Sequence, residues 1–268
     1  AIGADAMVAN TTGAQNVAIG TYALDANTTA SNNTAVGHSA LTTNTTGTEN
    51  VAVGTYALED STTANGNSAF GYAALAENST GTQNTALGRA VLNNNTTASH
   101  NTGVGYNALG ANTTGTQNVS VGAYALDANT TGAENTAVGF EALSSNTTAS
   151  YNTAIGRQAL VTNTTGATNC ALGFEALEQN TTASNNSALG FQALKANTTG
   201  ENNVALGKAA LGANTTGEMN IAVGAYALDA NTTGSHNTAS GTYSLTDNTT
   251  GSNNIRLQHN RIRKRSCW

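Results

Sequence analysis

The chain has 268 residues, of which only 9% are charged and 5% are aromatic, and it contains no proline. Ordinary globular domains carry roughly 25% charged residues and about 5% proline, so these values exclude a conventional mixed domain. Disordered chains usually have a high charge or many prolines, and this sequence has neither. It has no run of about 18 apolar residues that could form a membrane-spanning helix. Two cysteines, Cys170 and Cys267, are too few for a disulfide framework.

The charge is unevenly distributed along the chain. Residues 1–255 contain four basic residues against 15 acidic ones, a net charge of −11. Residues 256–268 contain five basic residues and no acid, a net charge of +5. An acidic body is not expected to bind nucleic acid, because phosphate contacts need a basic surface. We expect the basic end to be a cap or a solvated tail, although it could also contact an anionic partner.

A 17-residue repeat dominates the sequence. Glycine recurs at intervals of 17 residues from Gly3 to Gly241, and asparagine keeps the same interval from Asn16 to Asn254, without an insertion or deletion. The unit Asn33–Glu49 reads Asn-Thr-Ala-Val-Gly-His-Ser-Ala-Leu-Thr-Thr-Asn-Thr-Thr-Gly-Thr-Glu and defines positions 1 to 17. A slip of one residue in a strand exchanges its two faces. The strict interval therefore predicts a stack in which each unit contacts only its neighbours.

Each unit has the pattern of one coil of a parallel β-solenoid. Helical repeats need about 33 residues or more for a pair of helices. Here short apolar runs around positions 2 to 4 and 8 to 9 are separated by turn residues, as in half-buried strands. The sequence predicts an all-β parallel β-solenoid (β-roll) of about 15 coils over residues 1–255, followed by a basic C-terminal cap or tail over 256–268. With coils about 4.8 Å apart, the rod would be on the order of 70 Å long.

Asparagine at positions 1 and 12 predicts two ladders of stacked side-chain amides, in which each amide donates to one neighbour and accepts from the other. The ladder at position 12 has one exception, Ser61. The ladder at position 1 comprises Asn16, Asn33, Asn50, Asn67, Asn84, Asn101, Asn118, Asn135 and Asn152 and continues in the later copies.

Positions 3, 4, 8 and 9 should decide which side of each strand is inside. Position 4 is aliphatic or Phe in nearly every copy and position 9 is Leu from Leu24 to Leu245, so we expect these two files to fill the interior. Positions 3 and 8 are each Ala in 13 of the 15 copies, and strand alternation would point them outward. Either a second chain packs closely on them, as in a parallel homotrimer, which we favour, or they form a tight corner within one chain. Glycine at position 5 indicates a conformation or close approach that a Cβ would block.

Positions 6 and 7 vary most between copies and are rich in aromatic residues and mixed charge. We interpret them as a candidate recognition surface along one side of the rod; alternatively, the rings merely cover a corner of each coil. The aromatic members are Tyr22, Tyr56, Tyr72, Tyr106, Tyr124, Phe140, Phe174, Phe191, Tyr226 and Tyr243.

The motif Asn-Thr-Ala-Val-Gly at Asn33–Gly37, with variants at Asn50–Gly54 and Asn152–Gly156, resembles the Asn-Ser-Val-Ala-Ile-Gly motif of YadA-like head domains. Those domains belong to trimeric autotransporter adhesins. The longer unit, ending Gly-x-x-Ala-Leu-x-x-Asn-Thr-Thr-Gly, is also similar to repeats of phage-tail-fibre-type surface proteins. The resemblance covers residues 1–255 and implies a left-handed trimeric β-roll that binds host matrix or cells. The adhesin repeat is commonly shorter than 17 residues, so the cross-section of the coil is expected to differ.

The sequence shows no motif for catalysis or cofactor binding. The four histidines form no metal-ligand spacing with cysteines or carboxylates, and no nucleophile elbow or phosphate-binding loop occurs. We therefore expect no metal, no cofactor and no enzymatic activity. The Asn-Thr-Thr segments are formal N-glycosylation acceptors, although an amide ladder and a turn already explain them.

These patterns favour a non-enzymatic, extracellular structural or adhesive fibre that projects from a cell or virion surface. Its expected partners are further copies of itself, as a trimer, and a host-surface receptor or glycan, with no nucleic acid and no membrane insertion. One alternative is an ice-binding β-solenoid that uses paired threonines such as Thr45 and Thr46. Against it, adjacent threonines in a turn do not share a face, and we identify no Thr-x-Thr pattern of a flat strand face. Another alternative is a filament subunit that stacks end to end.

Overall fold

The computed structural model describes residues 1–258 as a single sheet of 15 parallel strands in sequence order. The described residues form no helix, so none of them belongs to a helix that could cross a membrane. The strands are β1 (Val17–Ile19), β2 (Thr34–Val36), β3 (Val51–Val53), β4 (Ser68–Phe70), β5 (Thr85–Leu87), β6 (Thr102–Val104), β7 (Val119–Val121), β8 (Thr136–Val138), β9 (Thr153–Ile155), β10 (Cys170–Leu172), β11 (Ser187–Leu189), β12 (Val204–Leu206), β13 (Ile221–Val223), β14 (Thr238–Ser240) and β15 (Ile255–Leu257).

The register of the sheet equals the period of the sequence. Each strand holds positions 2 to 4 of its unit, and each residue pairs with the residue 17 places further on, as Ala35 pairs with Ala18 and Ala52. The predicted all-β parallel solenoid is confirmed. Cys267 and the basic residues after position 258 lie outside the described residues.

The coils are hydrogen-bonded to each other around their whole circumference, not only along the strands. The Leu41 N–H donates to the Ala57 carbonyl at 3.0 Å, and the Thr45 N–H donates to the Thr62 carbonyl at 3.0 Å. Similar bonds recur in coil after coil. The backbone groups of the turns thus find partners in the adjacent coil, which explains why a turn of changed length would not fit.

The apolar interior is filled by positions 3, 8 and 9. Their side chains are almost fully buried through the array, whereas position 4 is partly or fully exposed. The prediction that position 4 fills the interior and that the Ala files face outward is therefore wrong. The coil is narrow, so the strand and the facing turn leave room only for Ala at position 3 opposite Ala at position 8. Leu at position 9 fills the remaining space. The tight fit within one chain explains the small residues.

One pair of substitutions shows how tightly this interior is packed. Position 8 holds Val91 instead of Ala, and position 3 of the next coil holds Gly103 instead of Ala. A Cβ added to Gly103 would overlap Cγ1 of Val91. The larger residue on one side is accommodated by the smaller one on the other side, so the two exceptions to the repeat form a compensated contact.

Glycine at position 5 is required for two reasons. Gly37 has a φ of 142°, which L-residues rarely adopt. A Cβ on Gly37 would also lie 2.5 Å from the carbonyl oxygen of Gly54 in the next coil. Both the conformation and the close approach that the sequence predicts at this position are present.

Candidate functional site

One extended exposed surface is the sheet face, which we define as the outward side chains at positions 2 and 4 of β1 to β15. Its position-4 residues are aliphatic or Phe in every strand except β14. Positions 2 and 4 point away from the buried position 3 in every strand from β1 to β14. Leu189 and Leu206 are 42% and 41% exposed. Together with Cys170 and Val204 they line a shallow apolar groove near the C-terminal half of the sheet.

The sheet face was not predicted from the sequence, because the aliphatic residues of position 4 were expected in the interior. A signal for the correct assignment was present. Position 3 keeps Ala in 13 of 15 copies, whereas position 4 varies in size from Val36 to Phe70. A close-packed interior does not tolerate such changes in volume, so the variability itself marks position 4 as an outward site.

All ten aromatic residues of the predicted recognition surface lie in one continuous file. Each coil from the second to the fifteenth supplies one ring or cation from position 6 or position 7, and neighbours along the file lie 5.2 to 6.3 Å apart between centroids, or from cation to centroid. We call this set the aromatic file. Its members are Tyr22, His38, Tyr56, Tyr72, Arg89, Tyr106, Tyr124, Phe140, Arg157, Phe174, Phe191, Lys208, Tyr226 and Tyr243.

The rings of the aromatic file contact one another as well as solvent. Tyr226 and Tyr243 stack with an interplanar angle of 3°, and Tyr56 meets Tyr72 edge to face at 83°. Arg89 lies between the rings of Tyr72 and Tyr106 at 5.7 and 5.6 Å. Such contacts stabilise neighbouring side chains by about 0.5–1.5 kcal/mol beyond their burial. The file is therefore a structural ladder whose outer edge remains accessible.

Charged side chains flank the aromatic file. The Lys195 ammonium lies 2.6 Å from Glu175 and 3.1 Å from Glu178. The hydrogen bond from Lys195, followed by one from Gln192, lowers the pKa of Glu175, and the same bond to Glu175 raises the pKa of Lys195. By contrast, burial raises the pKa of Asp127, and the nearby Glu141 charge adds to this effect. The local charge balance thus differs from coil to coil along the rod.

The two asparagine files lie inside the rod as hydrogen-bonded ladders. At position 1, the Asn50 amide donates to the Ala64 carbonyl at 2.7 Å and to Oδ1 of Asn33 at 3.2 Å. Equivalent side chains from Asn16 to Asn152 and beyond repeat much of this arrangement. At position 12, the Asn129 amide donates to Oδ1 of Asn112 and to the Gly132 carbonyl, both at 2.9 Å. These residues hold the turns together.

Burial also bears on the formal glycosylation acceptors. The position-12 amides from Asn27 to Asn231 are fully buried, except where Ser61 replaces Asn, and their nitrogens donate to backbone carbonyls. A sugar on such a nitrogen would have to displace the neighbouring coil. The folded rod therefore presents no accessible acceptor among these residues.

Within residues 1–258 no group of three His, Cys, Asp or Glu side chains is arranged to hold a metal ion. No protein-family model matches the sequence, and a search of curated proteins gives no match.

Proposed function

We propose that the chain is a non-enzymatic structural and adhesive fibre that assembles as a parallel trimer and projects from a cell or virion surface. The observation that carries the proposal is the sheet face, which runs the length of an uninterrupted stack and is not covered by any described part of the chain. Soluble monomers rarely expose large contiguous apolar patches, and those that occur usually bind a partner.

A second copy of the chain is the partner that best fits the sheet face. Its outward residues recur every 17 residues at a coil spacing of about 4.8 Å, so a parallel copy presents the same period over the full length. Positions 2 and 4 of the described strands carry no charged side chain, so two identical faces would not repel each other electrostatically. The resemblance to YadA-like head repeats supports three copies and an extracellular location.

The test is the mass of the assembled full chain by light scattering and analytical ultracentrifugation. We expect a trimer that Leu189→Lys combined with Leu206→Lys converts to a monomer, because opposed ammonium groups cannot be buried together. Circular dichroism should show that the variant keeps its β-structure.

The matched control places the same substitution on another wall. Gln83 and Gln117 are exposed at position 17, so Gln83→Lys with Gln117→Lys should leave the trimer intact. A monomeric wild-type chain, or a trimer that tolerates the sheet-face lysines, would rule out the proposed assembly.

We further propose that the aromatic file is the surface that meets a host receptor or glycan. Because neighbouring side chains occupy many ring faces, a ligand would meet ring edges and phenol hydroxyls, which favours a hydrogen-bonding ligand such as a glycan. Tyr72 and Tyr106 are 50% and 41% exposed and are held by Arg89. On a glycan array, Tyr72→Phe with Tyr106→Phe should weaken any signal of the wild-type chain while preserving the ladder; an unchanged signal would exclude these hydroxyls.

A further inference from the structure

The repeat allows each position to be compared across 15 copies within one chain. Nearly every strongly preserved position has an intramolecular task that explains it. Glycine at position 5 allows the close approach of coils, positions 3, 8 and 9 fill the interior, and asparagine at positions 1 and 12 forms ladders. A position that is preserved without such a task would point to something outside the chain.

Position 14 has this property. It is Thr in all 15 copies, and all 15 side chains are exposed. Within residues 1–258 none of their hydroxyls hydrogen-bonds to a protein group. We call this set the threonine file; its members are Thr12, Thr29, Thr46, Thr63, Thr80, Thr97, Thr114, Thr131, Thr148, Thr165, Thr182, Thr199, Thr216, Thr233 and Thr250.

The adjacent position 13 shows what a structural threonine does in this fold. In each successive pair of coils from Thr11 to Thr232, its hydroxyl donates to the position-13 carbonyl of the next coil, at 2.9 to 3.4 Å. Serine replaces it once, at Ser79, and makes the same bond. The hydroxyls of position 13 are thus hydrogen-bonded between coils while those of position 14 are exposed, which agrees with the expectation that the paired threonines do not share a face. Position 14 has no such bond and yet admits no serine.

The surroundings leave the threonine file uncovered. Position 15 is Gly or a small buried Ala in every copy, and position 16 is Ala, Ser or Thr in 12 of 15 copies. Positions 13 to 15 carry no charge in any copy. The pattern Thr-x-Ser/Thr that the sequence analysis did not find on a strand is present here, because positions 14 and 16 both lie outside the buried position 15.

We propose that the threonine file binds the surface of ice. A ligand of limited size would require only a few coils, whereas preservation of all 15 copies requires a partner that repeats along the whole rod. A β-branched threonine is restricted at χ1, so identical hydroxyl and methyl groups recur about every 4.8 Å on a rigid scaffold. Each hydroxyl can anchor one water and each methyl can occupy the space between waters, which gives a lattice of water a periodic, uncharged template.

The test is the gap between the melting and freezing points of ice in a solution of the full chain. We expect the wild-type chain to produce thermal hysteresis and shaped ice crystals. Combined replacement Thr114→Tyr, Thr131→Tyr and Thr148→Tyr should abolish both effects. The triple Thr→Ser variant at the same sites keeps the hydroxyls but loses the methyls, and should lose at least half of the hysteresis.

A matched control places tyrosines at position 17, where Tyr151 occurs naturally. Gln117→Tyr, Glu134→Tyr and Thr168→Tyr should leave the hysteresis unchanged, and unfolding curves should show that both tyrosine variants are folded. The proposal would be overturned if the wild-type chain produced no hysteresis. That result is expected if the hydroxyls carry sugars instead of binding ice. Full activity in the Thr→Tyr variant would also overturn it. Neither result bears on the sheet face, which lies on a different wall.

Discussion

Besides the glycine at position 5, three of the 17 positions hold a residue with a positive φ, and only one copy in these three files, Gly66, is glycine. Leu41 at position 9 has a φ of 53°, Ser39 at position 7 has 54° and Glu49 at position 17 has 63°. The left-handed conformation costs roughly 1–2 kcal/mol per L-residue. It is maintained because backbone bonds to the neighbouring coils and burial of Leu at position 9 fix the path of each turn. Stability at the residue scale therefore comes from the stack and not from local preference.

The break in the position-12 ladder predicts a stabilising substitution. Oδ1 of Asn44 and Oγ of Ser61 are both buried without a hydrogen-bond partner. Ser61→Asn should supply the missing amide between Asn44 and Asn78 and raise the free energy of unfolding by about 1–2 kcal/mol. Denaturant unfolding of the two proteins measures the difference.

The reverse substitution serves as the control for this ladder. Asn112→Ser opens the same gap in an intact part of the file, next to Asn129, and should lower the free energy of unfolding by a similar amount. If Ser61→Asn were neutral while Asn112→Ser was destabilising, the position-12 amide would not contribute equally to stability in different coils, as the repeat requires.

Two carboxylates should have opposite effects on the pH dependence of stability. Burial raises the pKa of Asp127 above its unfolded value near 3.8, so its charged form opposes folding at neutral pH. Asp127→Asn should stabilise the rod at pH 7, and this advantage should shrink as the pH falls through the raised pKa towards 3.8. Lys195 lowers the pKa of Glu175 below 4.5, so its contribution is present above that pH and is lost below it.

The pH series therefore contains its own comparison. Glu175→Gln should lower the midpoint of thermal unfolding at pH 7 and have little effect once the pH is below the lowered pKa. If both variants changed the midpoint in the same direction at pH 7, the assigned environments of Asp127 and Glu175 would be incorrect.

At the scale of the coil, packing across the interior couples positions 3 and 8. Val91→Ala should destabilise by about 1–3 kcal/mol through a cavity, and Gly103→Ala should destabilise because its Cβ overlaps Val91. The double variant recreates the Ala–Ala contact of the other coils and should be close to the wild type. The coupling energy in this cycle is expected to be about 2 kcal/mol or more.

The same contact can be moved to another coil as a control. Ala142 and Ala154 have the same relation as Val91 and Gly103, and both are fully buried. Ala142→Val should destabilise by overpacking, and adding Ala154→Gly should restore much of the stability. Additive effects in both cycles would mean that the two files do not touch.

Much of the coil was predictable from the sequence, because identical residues at a fixed interval must occupy identical environments. The period, the parallel stack and the need for glycine at Gly37 follow from that argument. The inside of the coil did not follow, since hydrophobicity assigns Val36 to the interior while the structure buries Ala35. The width of the coil interior depends on how the strand and the turns face each other. The number and position of apolar residues in one unit do not reveal that arrangement. The aromatic file escaped full prediction for a similar reason, because His38 and the cations join rings only when neighbouring coils are stacked.

For the whole molecule, regularity produces a rod with walls of different chemistry. The apolar sheet face, the aromatic file and the uncharged threonine file each run along the stack, because a residue type at one position recurs in every coil. The assembly, recognition and ice binding that we propose use separate walls and can be tested separately. All three assignments require that each 17-residue unit forms one complete coil.

The length of the rod in solution tests this requirement most directly. Deletion of residues 118–168 removes three complete units and should shorten the maximum dimension from small-angle X-ray scattering by about 14 Å, at about 4.8 Å per coil, while the β-structure persists. Deletion of residues 118–167 leaves the following coils one residue out of register and should prevent folding. The stacked-coil structure would be contradicted if deletion of residues 118–168 left the maximum dimension unchanged. It would also be contradicted if the two deletion variants were equally stable.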